Sequence, residues 1–250
     1  MIKPERLNAV KINKLKSRSR SRKIRIMAKR KLQRFAEICT FENVYSNIRH
    51  DVPTLINHEE EDVEMQGKWA EHFKNTNPIT LEVGCGRGEY SLALGKEHSN
   101  RNFIGIDLKG ERIWRAATDA RTANLDNLAF LRSRIEYIEH FFGQEEIDEI
   151  WITFPDPQLK KARKRLTSPR FLDLYRKILK KGGLVHLKTD SQELYEYTLE
   201  ILAEQKLTPE YHSSDIYAQV LAYPELNHKT YYERLHMGKG KTITYIRFKL

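Results

Sequence analysis

The sequence has little cysteine, no long hydrophobic run and no apolar segment at its N-terminus. Two cysteines among 250 residues, Cys39 and Cys85, make no disulfide framework, so we expect a reducing, cytoplasmic location. No stretch approaches the roughly 20 apolar residues of a membrane span. The lack of an apolar N-terminal core argues against a secretory signal. The 40% of hydrophobic residues are enough for one sizeable core.

Positive charge is concentrated at the start of the chain. Residues 1–34 hold 14 Lys and Arg and one acid, whereas the other 216 residues hold 30 Lys and Arg and 33 acids. A basic arm is typical of nucleic-acid binding and equally of a disordered tail, and both interpretations stay open here. We expect residues 1–27 to form a basic, disordered tail and residues 28–250 to form a single domain.

Within that domain, residues 28–78 form a lead-in and residues 79–250 a core in which strands and helices alternate. One helix is predicted in the lead-in over 61–75, because Val63, Trp69 and Phe73 recur at roughly helical spacing. Core strands are predicted at 79–84, 102–108, 128–132, 147–154, 184–189, near 211–218 and at 241–250. Core helices are predicted at 88–98, 110–124, 134–142, 169–181 and 191–205, the fourth ending at the pair Gly182-Gly183.

Five strand–helix units in a row predict the fold class. They favour an α/β, Rossmann-like, doubly wound sheet of seven mainly parallel strands, with helices on both faces and the last strand antiparallel. In such a sheet the fourth strand lies beside the first, and ligands bind at the carboxyl ends of the strands.

A glycine-rich loop follows the first core strand in LEVGCGRGEY (81–90). Gly84, Gly86 and Gly88 let the chain turn tightly and let a ligand approach the backbone. The spacing does not fit the dinucleotide pattern, because Glu89 stands where a third glycine would fall. A structural turn without a ligand is the alternative interpretation of the loop alone.

Two carboxylates near this loop indicate the kind of ligand. Glu82 would repel a pyrophosphate and attract an ammonium group, and Asp107, 19 residues past Gly88, could accept both hydroxyls of a ribose. Together they suit S-adenosyl-L-methionine, and no metal is expected. Cys85 inside the loop is interpreted as a packing residue and not as a nucleophile.

The segment FPDPQLKKARKRL (154–166) ends the fourth core strand. Two prolines restrict the backbone around Asp156. A fixed carboxylate could accept the N1–H and N2–H₂ donors of guanine and leave N7 facing a methyl donor. The basic residues that follow, Lys160, Lys161, Arg163, Lys164 and Arg165, could neutralise RNA phosphates. A solvated loop is the alternative.

Five segments in this order resemble the bacterial tRNA (guanine-N7-)-methyltransferase family. They are LEVGCGRGEY, FIGIDLKGERI, FPDPQLKKAR, LKTDSQELYEY and KTYYERLHMGKG. The resemblance covers about residues 28–250, and the FPDP and late tyrosine-containing segments are specific to that family. It implies methylation of guanine 46 in the tRNA variable loop from S-adenosyl-L-methionine, in tRNA processing and modification.

The resemblance also implies roles for individual residues. Asp156 matches an acid placed at both cofactor and guanine and important for catalysis. The implied cofactor ligands are Glu82, Gly84, Asp107 and Asp156. The implied substrate ligands are Lys160 or Lys161, Asp190, Thr230, Tyr231, Tyr232 and Glu233. The chain departs from the family at Ser133 and Arg134, where many members have an acid or amide near the adenine, so the candidate adenine contact is either the Arg134–Ile135 backbone or Ser133.

Three other functions compete with this one. A methyltransferase acting on a protein or small molecule would leave the basic residues after Asp156 without a role. A non-catalytic RNA-binding protein would not need Glu82 and Asp107. A nicotinamide dehydrogenase conflicts with the glycine spacing. The sequence leaves monomer and homodimer open, and membrane partners are not expected.

Overall fold

One sheet of ten strands organises the protein in the computed structural model, which describes residues 32–49 and 51–250. The strands are β1 (Val44–Ser46), β2 (Leu55–Ile56), β3 (Asp62–Val63), β4 (Ile79–Val83), β5 (Asn102–Asp107), β6 (Leu128–Arg132), β7 (Ile147–Thr153), β8 (Leu179–Thr189), β9 (Pro209–Ser213) and β10 (Thr244–Lys249).

Helices cover both faces of this sheet. In the described residues they are α1 (32–38), α2 (Trp69–Phe73), α3 (Glu89–Glu97), α4 (Gly110–Thr122), α5 (Pro169–Ile178), α6 (Gln192–Glu204) and α7 (Tyr231–Met237). Short 3₁₀ helices lie at Ile135–His140, Ala162–Lys164 and Pro224–Asn227. None of the described helices is both long enough and apolar enough to cross a membrane.

The strand order is β3-β2-β1-β6-β5-β4-β7-β8-β10-β9. The five neighbouring pairs in the run β1-β6-β5-β4-β7-β8 are parallel. At the two edges, β2 is antiparallel to β1 and β3, and β10 is antiparallel to β8 and β9. This confirms the predicted class, including the antiparallel last strand and the pairing of the fourth core strand, β7, with the first, β4. The predicted count of seven strands was incomplete, because the lead-in adds β1, β2 and β3 beyond β6.

The sequence of the central strands explains why they are covered on both sides. Every residue of β4 and β5 is buried, as in parallel strands packed between two helical layers. Helix α4 presents Ile113, Ala116, Ala117 and Ala120 to one face, at a helical repeat. The opposite face packs on α5 and α6. The carboxyl ends of β4, β5 and β7 therefore meet at one edge.

One helix prediction was wrong in the lead-in and one was wrong in the core. Instead of one helix over 61–75, Asp62–Val63 pairs with β2, and helix starts only at Trp69. Gly67 has a φ of +75°, and its N–H and that of Trp69 donate to the Glu146 carboxylate. Residues 134–142 form a 3₁₀ helix over Ile135–His140 instead of an α-helix.

The pair Gly182-Gly183 lies inside a strand and does not stop a helix. Helix α5 ends at Ile178, and Leu179 already has extended backbone angles as the first residue of β8. The pairing of β8 with β7 shifts register next to these glycines. A Cβ at Gly183 would lie 2.6 Å from the Leu179 side chain and 3.0 Å from the Asp148 carbonyl oxygen, so the irregularity needs glycine.

Candidate active site at the carboxyl ends of the strands

A cleft of about 950 Å³ opens where β4, β5 and β7 end. It is bounded by the glycine loop after β4, by residues 108–112 after β5, by Thr153 and Phe154 after β7, and by the start of α7. Four predicted site residues line it: Gly84, Thr230, Tyr231 and Tyr232. The lead-in also contributes Arg34 and Phe35, which the sequence interpretation missed.

The three glycines determine the backbone conformation of the loop. Gly84, Gly86 and Gly88 all have positive φ, at +72°, +59° and +64°. At Gly88 a Cβ would lie 2.8 Å from the Ala116 Cβ and 2.9 Å from the Phe130 ring. Glycine at this position therefore lets α3 begin close against α4 and the sheet, as ligand-binding turns of this fold require.

Asp107 lies at the end of β5, directly beside the loop. One of its oxygens accepts the Gly86 N–H at 3.1 Å, and the other accepts the Lys109 N–H at 2.7 Å. The Arg112 guanidinium lies 3.6 Å from the first oxygen. A carboxylate has about four acceptor positions, so the predicted contact with ribose hydroxyls is compatible with these partners.

Glu82 is buried and fully engaged with the protein. One carboxylate oxygen accepts the N–H (3.0 Å) and hydroxyl (2.5 Å) of Ser91, and the other accepts the Thr153 hydroxyl at 2.7 Å. Burial raises the pKa of Glu82, and these hydrogen bonds oppose that shift. Glu82 therefore joins β4, β7 and α3 beneath the loop, and its direct contact with a cofactor stays a prediction.

Cys85 behaves as the sequence interpretation expected. Its side chain is buried, and burial raises the pKa of its thiol well above the usual value. A neutral, buried thiol is a packing group and a poor nucleophile. Of the two tryptophans nearby, Trp151 is buried and stacks on His186, with ring centres 4.0 Å apart, whereas Trp114 lines the cleft.

The loop that carries Asp156 is tightly shaped. Phe154 and Gln158 have φ values of +47° and +48°, a conformation that non-glycine residues rarely adopt and that occurs often at functional sites. The exposed Asp156 carboxylate accepts the Gln158 N–H at 3.0 Å. Asp156 is thus held at the end of β7, next to the glycine loop of β4, although it is not among the residues lining the cleft.

The basic residues after Asp156 divide into two groups, which corrects the prediction that all five face a partner. Lys160, Lys161, Arg163 and Lys164 are exposed. Arg165 is buried: its Nε donates to the Pro157 carbonyl at 3.0 Å, and its NH2 lies 2.6 Å from Glu193. Its guanidinium also lies over the Tyr197 ring. Arg165 therefore anchors the Asp156 loop to Glu193 of α6 from inside the protein.

Asp190 follows β8 and contacts the late segment. Its carboxylate lies 3.1 Å from His236 Nδ1 and 2.5 Å from Lys241 Nζ. Asp190 does not cap α6, because the Ser191 hydroxyl accepts the Leu194 N–H and fills that role. Asp190 instead ties the end of β8 to the residues around α7.

Helix α7 carries the last predicted site residues. Thr230 caps it by accepting the Glu233 N–H, and Tyr231 and Tyr232 are half exposed beside the cleft. The Tyr231 N–H donates to the Glu89 carboxylate on α3. Glu233 points inward: it is completely buried and pairs with Lys188 at 2.8 Å. Its predicted substrate contact stays untested and is not favoured by this burial.

Arg134 is exposed and starts the 3₁₀ helix after β6, outside the cleft lining. Ser133 beside it is buried, and its N–H donates to the Asp107 carbonyl at 3.3 Å. Three further residues line the cleft and were not predicted as site residues: Arg87, Glu89 and Arg112. Each of these three residues lies one to five residues after a glycine of the loop or after the end of β5. That position was the signal in the sequence that could have identified them.

The residues around the cleft fit the predicted cofactor. The cavity adjoins the glycine turn, and the buried Asp107 lies at its edge with a carboxylate suited to hydroxyl donors. Within residues 32–49 and 51–250, no group of three or more His, Cys, Asp or Glu side chains is arranged to hold a metal ion.

Comparisons with known proteins identify relatives that match most of the chain. A family profile described as "Putative methyltransferase" matches residues 76–246. The tRNA (guanine-N(7)-)-methyltransferase of Bacteroides fragilis is 44% identical over 225 residues, which are 90% of this chain and 87% of that protein. The protein of the same name from Christiangramia forsetii is 45% identical, over 89% of this chain and 99% of that protein.

Solved structures confirm the fold at low sequence identity. The 16S rRNA methyltransferase KamB superposes with a TM-score of 0.59 at 14% identity, covering 76% of this chain and 96% of that one. An "antibiotic related methyltransferase" gives a TM-score of 0.54 at 16% identity, over 74% and 92%. With relatives above 40% identity along nearly its full length, the chain belongs to the tRNA (guanine-N(7)-)-methyltransferase family.

Proposed function

We propose that the protein transfers the methyl group of S-adenosyl-L-methionine to N7 of guanine 46 in the variable loop of tRNA. The observation that carries this proposal is the family membership, since relatives named for this activity match nearly the whole chain. The site supports it, because a cleft of suitable size joins the glycine loop to the half-exposed Tyr231 and Tyr232.

The proposed reaction requires little of the protein beyond positioning the guanine and the methyl donor. S-adenosyl-L-methionine would supply a methyl group on its positively charged sulfur: the S–C bond would break as the bond from the methyl carbon to N7 forms, which leaves the sulfur neutral and the positive charge on the guanine. Guanine N7 bears a lone pair and no proton, so the protein need not provide a general base. Asp156 would instead accept the N1–H and N2–H₂ donors and fix the base in line with the donor.

Different residues would hold the two substrates. Asp107 would accept the ribose hydroxyls and the backbone near Gly84 would border the cofactor, with Glu82 holding the loop through Ser91 and Thr153. Lys160 and Lys161 are exposed beyond Asp156 and would neutralise phosphates beside the target nucleotide. The half-exposed tyrosines of α7 suit stacking on an unpaired base.

We propose that residues 28–250 act as one methyltransferase domain, because β1 of the lead-in joins the sheet beside β6. A cytoplasmic location is supported by the free cysteines Cys39 and Cys85 and by a tRNA substrate. Both a monomer and a homodimer are compatible with the proposed function. The exposed cations Lys160 and Lys161 favour tRNA over a protein or small-molecule substrate.

A single-turnover assay tests the proposal. Labelled S-adenosyl-L-methionine would be mixed with unmodified tRNA and with the same tRNA carrying 7-deazaguanine in the variable loop. Transfer to the first tRNA alone is the expected result. Equal transfer to both would move the target away from N7 of that guanine. Transfer to neither would favour another substrate or a non-catalytic function.

A further inference from the structure

Arg112 connects the two halves of the cleft. It lies in the first turn of α4, directly after the loop that follows β5. Its NH1 is 3.6 Å from an Asp107 carboxylate oxygen, and its NH2 donates to the Tyr232 hydroxyl at 3.3 Å. Asp107 is the predicted ribose ligand and Tyr232 belongs to the predicted substrate segment, so one side chain contacts both.

The chemistry of the side chain suits this double contact. A guanidinium is planar, always charged and has five N–H donors in a fixed arrangement, so it can serve two acceptors at once. The Arg112 guanidinium carbon also lies 6.0 Å from the centre of the Tyr232 ring. Asp107 is nearly buried, with 10% of its side chain exposed, and its charge is therefore poorly screened by water.

Arg112 also touches the turn of the glycine loop. The Asp107 oxygen nearest Arg112 accepts the Gly86 N–H as well, and a Cβ at Gly86 would lie 3.8 Å from Arg112 NH1. Any ligand that engages Asp107 beside this loop therefore changes the surroundings of the Arg112 guanidinium. Through the Tyr232 hydroxyl, that change reaches the start of α7.

We propose that Arg112 is a positioning residue that couples cofactor binding to RNA binding, by linking the Asp107 carboxylate to Tyr232. This inference rests on the proposed function and deepens it. With Asp107 engaged, Arg112 holds Tyr232 and the N-terminal turn of α7 in the arrangement that accepts RNA. Because coupling between two sites is reciprocal, bound RNA strengthens cofactor binding by the same factor.

A simpler role for Arg112 is a phosphate contact, and Arg115 provides the control for it. Arg115 is one turn further along α4, lines the same cleft and pairs with Asp119 instead of with Asp107. Arg115→Gln removes the same charge from the same helix as Arg112→Gln. A purely electrostatic role predicts similar effects of the two substitutions on RNA binding.

The experiment measures tRNA dissociation constants with and without saturating S-adenosylhomocysteine, which has no methyl group to transfer. The proteins are the full chain and its Arg112→Gln, Arg112→Lys, Tyr232→Phe, Arg112→Gln/Tyr232→Phe and Arg115→Gln variants. We expect the cofactor product to tighten tRNA binding to the unsubstituted protein. Arg112→Gln and Tyr232→Phe should each reduce that factor about threefold to tenfold, and the double variant should lose no more than Arg112→Gln alone. Arg115→Gln should keep the full factor.

Three results would overturn the inference. A tRNA affinity that falls equally with and without S-adenosylhomocysteine in Arg112→Gln would make Arg112 a phosphate contact. A coupling factor of one in the unsubstituted protein, or the same factor in all variants, would remove the link. Methylation of tRNA by the unsubstituted protein is measured in parallel, so failure of the proposed function is recognised separately. Tyr232→Phe, at a half-exposed side chain, keeps the test valid should Arg112→Gln unfold.

Discussion

The ammonium group of Lys188 lies 2.8 Å from the Glu233 carboxylate, and both side chains are completely buried. Lys188 also donates to the carbonyl oxygens of Leu226 and His228, and Tyr217 donates to Glu233. Burial lowers the pKa of Lys188, and the neighbouring carboxylate opposes that shift. This pair joins β8 to α7 and fixes the helix that borders the cleft.

Glu233→Ala is expected to destabilise the protein and to loosen α7. Removing one partner leaves a buried, unpaired charge, which costs about 3–5 kcal/mol. Thermal unfolding and proteolysis near residues 228–241 would measure the effect. Lys188→Met/Glu233→Leu should recover part of the stability, because no charge is then left unpaired. Normal stability of Glu233→Ala would show that the ion pair with Lys188 does not stabilise the fold.

Asp156→Ala is expected to lower the single-turnover methylation rate by at least about 100-fold, because misplacement of the reacting base is that costly. The affinity for S-adenosylhomocysteine should stay close to normal, since the exposed Asp156 lies outside the residues lining the cleft. Rapid-quench kinetics and calorimetry separate the two effects. Normal turnover would remove the role of Asp156.

Lys160→Ala/Lys161→Ala is expected to weaken tRNA binding and to flatten its salt dependence. Each lost phosphate contact reduces the slope of log affinity against log salt by about 0.7–0.9. The control is Lys68→Ala/Lys96→Ala, which removes two exposed lysines from the opposite end of the sheet. An unchanged slope in the first variant would show that Lys160 and Lys161 are only solvated.

Arg165→Ala should behave differently from its basic neighbours. Its guanidinium holds the Pro157 carbonyl and Glu193, so its loss should destabilise the protein and slow methylation by releasing the Asp156 loop. The salt dependence of tRNA binding should not change, because Arg165 is buried. A reduced salt slope with normal stability would contradict this structural role.

Stability should fall in acid because of a buried pair outside the cleft. Glu149 lies 2.8 Å from His186 and also pairs with Arg101. Burial raises the pKa of Glu149, but His186 and Arg101 outweigh it and lower the value to about 2. Burial lowers the pKa of His186. Both groups bind protons more readily in the unfolded protein. The folded state is therefore destabilised as pH falls below about 6.5, where His186 begins to protonate in the unfolded chain, and further below about 4.5, where Glu149 does.

Urea unfolding between pH 7 and pH 3 measures this dependence. The Glu149 contribution, present above about pH 4.5, is on the order of 3 kcal/mol and is lost towards pH 2. Glu149→Gln should be less stable at pH 7 and show a flatter decline below pH 5. An equally steep decline in that variant would assign acid sensitivity to other groups.

The sequence predicted the central sheet because its strands are short apolar runs between helices of clear periodicity. It did not predict β1–β3, since strands of two or three residues such as Asp62–Val63 carry too little pattern to be recognised. Gly182-Gly183 was misplaced because a glycine pair is typical both of a helix end and of an irregular strand. Only the pairing with β7 decides between them.

The site was predictable where a residue's role follows from its place at a strand end, as for Gly84, Asp107 and Asp156. The direction in which a side chain points, and whether it is buried, were not predictable. Arg165 belongs to a basic run, but its side chain is buried and pairs with Glu193, 28 residues later. Arg112 contacts Tyr232, 120 residues away, and such long-range contacts leave no local trace in the sequence.

The two ends of the described chain lie at opposite poles. Helix α1 places Arg34 at the rim of the cleft, whereas Leu250 pairs with Gly182 and Gly183 at the other end of the strands. A linker fused directly to the start of α1 would therefore begin on the side where substrates enter. Attachment through the C-terminus would orient immobilised molecules with their clefts facing the solution, which suits the binding measurements above.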